Sequence, residues 1–239
     1  MTPGQLIKAV SIALDVPEET VFQHDRNLAV DGLRTKGGRG PSAPDVTPLD
    51  AARLLVAVLG SIRVKDSVDT VRAFEKTKHT LEGPWYSAAD QKKIARNGKI
   101  FPDEAITALP PDHSFVQALE SLITSASAPF NNLDAYLRRF AHVAIECGVP
   151  IIQGRIGRVG DRCESLYVIP KPKKPYTGGA EIWRIFANRV GVAQRRSATG
   201  TAIMLLGKAF RDNGLPFEKT REALAALRMP PKSKKVRGQ

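Results

Sequence analysis

Apolar positions in the first third of the chain recur at helical spacing. Leu6, Ile7, Val10 and Leu14 place one buried face on a helix over 5–14. Asp15-Val16-Pro17 breaks it, and Pro17 suits the first position of a second helix over 17–30 with Val21 and Leu28 inward. Glu18 and Glu19 lie at the positive end of that helix's dipole. Gly32 is suited to the left-handed turn that ends a helix, with Leu33 folding back over the last turn. After a connector at 41–45, Thr47 caps and Pro48 opens a strongly apolar helix. Ala51, Leu54, Leu55, Val58 and Leu59 form its stripe, and Gly60 stops it. A helix over 67–78, with Val68, Val71 and Phe74 on one side, pairs with it as a hairpin.

The pattern is less regular from 79 to 111. Residues 79–86 fit a short strand or a turn, with Trp85 and Tyr86 in a loop that packs onto the core or anchors at the surface. Residues 99–101 fit a short strand limited by Pro102. Phe115, Leu119, Leu122 and Ile123 predict an amphipathic helix over 112–125, ended at Ser127-Ala128-Pro129. Leu133, Tyr136, Leu137 and Phe140 predict another over 132–142. Residues 149–152 and 165–169 are β-rich runs bounded by glycine or proline, hence strands. Between them the glycines and arginines of 153–162 read as a loop: a hairpin tip lying along a phosphate backbone, or a connection whose arginines face water. Residues 171–175 form a stiff basic linker. Ile182, Trp183, Phe186 and Val190 face one way in a helical region, and a helix over 199–212 carries Ile203, Leu206 and Phe210. Asn213-Gly214 ends it, and 218–227 adds a short last helix. The fold class is therefore α+β and predominantly helical.

Composition changes the picture through charge. The chain of 239 residues is 42% apolar and 25% charged, ordinary for a globular protein, with ample length for a core. It has no apolar run long enough to span a membrane and no signal-peptide pattern, which predicts a cytoplasmic protein, associated with the nucleoid if its charge serves DNA. Two cysteines, Cys147 and Cys163, are too few for a disulfide framework. The net charge of +12 is unevenly distributed. Residues 1–149 hold 17 Lys and Arg against 18 acids, a balance of −1; residues 150–239 hold 19 against 6, a balance of +13. Such asymmetry suits a polyanion partner, because each phosphate neutralised by Lys or Arg releases condensed counterions. A plain solvated basic surface is the alternative.

One segment ties this charge to a motif. Thr20-Val21, then Leu28, then Gly32-Leu33, followed by Arg34-Thr35-Lys36-Gly37-Gly38-Arg39-Gly40, resembles the recognition helix and basic wing of winged helix-turn-helix regulators of bacteria and phages. The resemblance covers about a sixth of the chain, and a degenerate motif of this kind also fits a helical hairpin that merely packs. It implies a winged-helix-like module over 1–60; the pattern and charge of the rest give a helical middle over 61–130, a basic α+β domain over 131–229 and a disordered basic tail over 230–239. It further implies that Thr20, Gln23, His24 and Asn27 face a DNA groove, while Arg34, Lys36 and Arg39 meet phosphate or the minor groove. Arg155, Arg158, Arg162, Lys171, Lys173, Lys174, Arg195 and Arg196 are the candidate phosphate contacts of the basic half.

Enzyme signatures are lacking. None of the glycine clusters is followed by Lys-Ser or Lys-Thr at P-loop spacing, and Gly154, Gly157 and Gly160 miss the dinucleotide fingerprint. His24, His79, His113 and His142 are scattered, and isolated thiols are mostly small buried hydrophobes. Glu146, Asp161 and Glu164 are the one carboxylate set that would serve a metal-dependent nuclease; two turn residues and an exposed strand residue are the plainer reading. The expectation is a transcription regulator that binds double-stranded DNA as a homodimer, with a possible contact to RNA polymerase, no cofactor, no metal, no membrane and no catalysis. A replication, partition or recombination accessory protein and an RNA-binding protein are the alternatives, followed by a metal-dependent nuclease and a protein-only adaptor.

Overall fold

The computed structural model describes residues 1–35, 45–80, 104–128, 143–149, 152–158, 164–169 and 194–214. Helix α1 (Pro3–Leu14) starts two residues before the predicted position, because Thr2 and Gln5 cap each other's backbone reciprocally. Asp15 ends it in the left-handed conformation, φ 56°. Helix α2 (Glu18–Val30) follows, with Val21 and Leu28 fully buried as predicted. Gly32 takes φ 79°, and the Leu33 N–H bonds back to the Leu28 carbonyl at 2.9 Å.

Helix α3 (Pro48–Gly60) is the centre of the helical layer. Thr47 caps it in a box with Asp50, and its residues from Asp50 to Gly60 are buried apart from Arg53. That arginine bridges neighbouring elements, Nη1 donating to the Leu33 carbonyl at 2.9 Å and Nε to Glu75 at 2.8 Å. A 3₁₀ turn (Val64–Asp66) leads into α4 (Ser67–Glu75), shorter than predicted because β1 (Lys78–Thr80) begins directly after it. A single-turn helix α5 (Glu104–Thr107) precedes α6 (Phe115–Ser127), capped by Ser114 and Gln117.

The strands are β2 (Val143–Val149), β3 (Gln153–Arg158), β4 (Glu164–Val168) and β5 (Gln194–Thr199), and α7 (Gly200–Arg211) follows β5 directly. With β1 they form one antiparallel sheet in the order β1-β4-β3-β2-β5. One expectation fails here: residues 153–158 of the predicted loop form a strand between β2 and β4, while 159–162 lie outside the described residues. Residues 194–199 form a strand at the edge of the described sheet. Glycines and arginines hide the alternation of β3, where Gly154 and Ile156 are buried between half-buried Gln153 and Arg155. A side chain at Gly154 would meet the Phe115 ring at 2.4 Å, so the glycine makes room for α6 against the sheet.

One hydrophobic cluster draws on α1, α2, α3, α4, α6, the sheet and α7. It thus takes residues from each of the segments 1–60, 61–130 and 131–229. Cys147 lies within it as a small buried apolar group, its thiol pushed up by burial. A second buried set stands between β1, β4 and the start of α6. His113 Nδ1 donates to the Pro110 carbonyl at 2.7 Å, so Nε2 accepts from the Tyr167 hydroxyl at 3.0 Å. His79 stacks on His113, with centroids 5.2 Å apart. The predicted elements at 85–86, 99–101, 132–142, 182–190 and 218–227 and the tail 230–239 lie outside the described residues. No helix among the described residues is long and apolar enough to cross a membrane.

Candidate nucleic-acid interface and the cleft behind it

Helix α2 lies against α1, α3 and α4, so three neighbours share its surface. The side facing α4 includes His24, only 3% exposed, whose Nδ1 lies 2.7 Å from the Ser67 hydroxyl. Ser67 gives its one proton to the Val64 carbonyl, so its oxygen accepts from His24 Nδ1–H and Nε2 is left as an acceptor. Asn27, half-buried, donates to the same Val64 carbonyl at 2.9 Å. The expected groove-facing roles of His24 and Asn27 are therefore corrected: α4 and its 3₁₀ lead-in cover that side. Thr20 and Gln23 are half-buried, Gln23 donating to Glu19 at 2.8 Å. The outer surface of α2 carries Glu18, Glu19, Phe22, Arg26 and Val30, with Phe22 44% and Val30 75% exposed.

Arg34 is also turned inward. Its Nε lies 3.0 Å from the carboxylate of Asp25, and Nη1 donates to the Thr35 carbonyl. Asp25 is 3% exposed; burial raises its pKa to about 6, which Arg34 opposes and the neighbouring Asp50 charge reinforces. Arg34 is thus an internal counter-ion, not a free wing cation. Sequence reading missed this pair, although an acid one turn beyond Val21 on the buried stripe was a usable signal.

Asp50 was missed as well. Its buried carboxylate accepts from the Thr35 N–H at 2.8 Å, the Thr35 hydroxyl at 2.9 Å, the Thr47 N–H at 2.7 Å and the Thr47 hydroxyl at 3.0 Å. One side chain therefore pins both flanks of the basic segment 36–44, and the N-terminal ammonium holds Asp45 at 2.6 Å. The Thr-Pro-Leu-Asp spacing of a capping box was the signal for it. Lys36 and Arg39 themselves lie outside the described residues, as do Arg162, Lys171, Lys173 and Lys174.

The remaining candidate cations are spread over the sheet. Arg155 is half-buried in β3, directly opposite Glu146 in the register, a placement suited to charge pairing within the sheet. Arg158 is opposite Val143, and Arg195 is opposite Gly148. Arg196 lies opposite Cys147 and donates from Nη1 to the Val58 carbonyl at 3.1 Å, near the C-terminal end of α3 where a cation is favoured. The candidate phosphate contacts Arg195 and Arg196 thus lie on a strand, with Arg196 anchored on α3. Of the nuclease carboxylates, Glu164 is opposite Gly157 and Asp161 lies outside the described residues. Among the described residues no three His, Cys, Asp or Glu side chains cluster as a metal site.

Behind α2 the structure opens a cleft of about 520 Å³. Ala13 and Leu14 of α1, Val16 of the α1–α2 turn, Thr20 and His24 of α2, Val58 and Leu59 of α3, and residues 196–199 of β5 line it. His24 is held neutral there, its pKa lowered to about 4 by burial and then by the Arg196 charge. No family model, curated protein or solved structure matches the chain.

Proposed function

We propose that the chain is a DNA-binding protein of regulatory type, acting by binding and not by catalysis. One observation carries the reading: the +13 balance of residues 150–239, against −1 for the rest. The α1–α2 helical pair supports it, with an exposed outer α2 surface and a basic glycine-rich segment pinned at both flanks by Asp50. Burial of His24 and the bond of Asn27 to the Val64 carbonyl move the proposed reading surface to Gln23 and Arg26, with Phe22 beside them. Lys36 and Arg39 supply phosphate contacts in this reading, and Arg34 does not. A single small module offers less interface than specific binding requires, so the functional unit is a homodimer or joins a second contacting surface.

Selection of bound fragments from host genomic DNA, followed by titration at several salt concentrations, tests the proposal. The expected result is steep salt dependence. Lys36→Ala and Arg39→Ala weaken all sequences alike and flatten that dependence, while Gln23→Ala and Arg26→Ala reduce discrimination among sequences. Retention no stronger than that of an uncharged control protein in dilute buffer overturns the reading. Stronger competition by single-stranded RNA than by duplex transfers it to RNA.

A further inference from the structure

The cleft behind α2 has the attributes of a small-molecule site. Its volume of about 520 Å³ falls within the range of ligand pockets, and Ala13, Leu14, Val16, Val58 and Leu59 give it apolar walls. Among the described residues the lining includes one cationic side chain, Arg196, and no acidic one. His24 is almost wholly buried, and Ser67 fixes its tautomer so that Nε2 is left to accept a hydrogen bond. Thr20 adds a hydroxyl-bearing residue, and β5 contributes the backbone of an edge strand.

We propose that this cleft binds a small amphipathic organic anion, its charged head on Arg196 and its apolar body against Leu14, Val16, Val58 and Leu59. A hydroxyl or N–H on the ligand body would meet His24 Nε2. The chemistry favours one anionic group over several, because the described lining holds a single guanidinium. It favours an apolar body over a bare anion, because most of the wall is aliphatic. Neutral His24 adds a dipole without adding charge, which leaves Arg196 to select for the anion. The site stands independently of what the outer surface of α2 contacts, since its lining residues differ from Phe22, Gln23 and Arg26.

The test is a titration of the full chain with benzoate, followed through backbone amide shifts and with no nucleic acid present. Benzyl alcohol and inorganic phosphate serve as the neutral and the body-less comparators. The expected result is saturable shifts at Thr20, His24 and Ser197, with each comparator at least about tenfold weaker. Arg196→Gln should lose about tenfold in affinity, and Arg196→Lys should recover part of it. Ala13→Leu, which enlarges a half-buried side chain of the wall, should abolish binding while the thermal transition is retained. Binding of benzyl alcohol or phosphate as tight as that of benzoate overturns the proposal. So does benzoate affinity unchanged by both Arg196→Gln and Ala13→Leu. An absence of saturable shifts with benzoate overturns it too, whatever the outcome of the DNA titration.

Discussion

Two adjacent side chains on α2 oppose each other as the pH changes. The folded pKa of His24, about 4, lies below its unfolded value of 6.5, so the unfolded chain takes up the proton first on acidification. Its contribution is complete above pH 6.5 and is lost as pH falls towards 4. The folded pKa of Asp25, about 6, lies above its unfolded value of 3.8, so its contribution is complete below pH 3.8 and is lost as pH rises towards 6. Between pH 4 and 6 the two slopes partly cancel. Relative to wild type, His24→Gln should therefore gain stability between pH 6.5 and 4, and Asp25→Asn should lose it between pH 6 and 4. Each difference should reach about 2 kcal/mol, read from urea midpoints across that range. Parallel pH profiles for wild type and both variants would remove the burial argument. Asp50→Ala is the second prediction at this scale: it leaves the Thr35 and Thr47 N–H groups without their acceptor, at a cost of about 3 kcal/mol by denaturant unfolding.

Close approach governs how the elements meet. At Gly154 a Cβ would enter the Phe115 ring, which is flanked by Phe74 and Tyr167 at centroid distances of 5.4 Å and has little room to retreat. At Gly207 of α7 it would meet the Ala126 backbone carbonyl carbon of α6 at 2.5 Å. Gly154→Ala and Gly207→Ala should each destabilise by about 1–3 kcal/mol. Gly4→Ala, with nothing within 4 Å, should stabilise α1 by about 0.5–1 kcal/mol. Thermal melts of the three variants check the ordering, and equal losses at all three positions would contradict the packing account. The described helices were legible because their apolar spacing is local: Thr47-Pro48 and the Phe115, Leu119, Leu122, Ile123 stripe were both found in place. Strand β3 was not legible, because Gly154 answers to Phe115 on another element.

At the scale of the molecule, charge and burial act on different parts of the chain. The cationic excess is concentrated after residue 150, while α1, α2 and α3 contribute much of the buried cluster. If the tail cations Lys232, Lys234, Lys235 and Arg237 engage phosphate, deleting 230–239 should reduce the slope of log affinity against log salt by up to about 3.6. Anisotropy titrations on duplex DNA measure that slope, and an unchanged value would assign the phosphate contacts elsewhere. In the described sheet, Arg155 faces Glu146 in register and Arg196 is anchored on the Val58 carbonyl, so these arginines do not form one cationic tip.

By itself, the amino-acid sequence determined the presence of the main described helices, the Thr47 cap, the left-handed turn at Gly32 and the placement of positive charge. These depend on neighbours within a few residues or on composition alone. The tertiary structure decided which side of α2 is open, because α4, distant in sequence, supplies Ser67 and the turn before it the Val64 carbonyl that cover His24 and Asn27. It also decided that Arg34 answers Asp25, that Asp50 holds both flanks of a loop, and that α1, α2, α3 and β5 leave a cleft between them. Each of these depends on groups that only packing brings together.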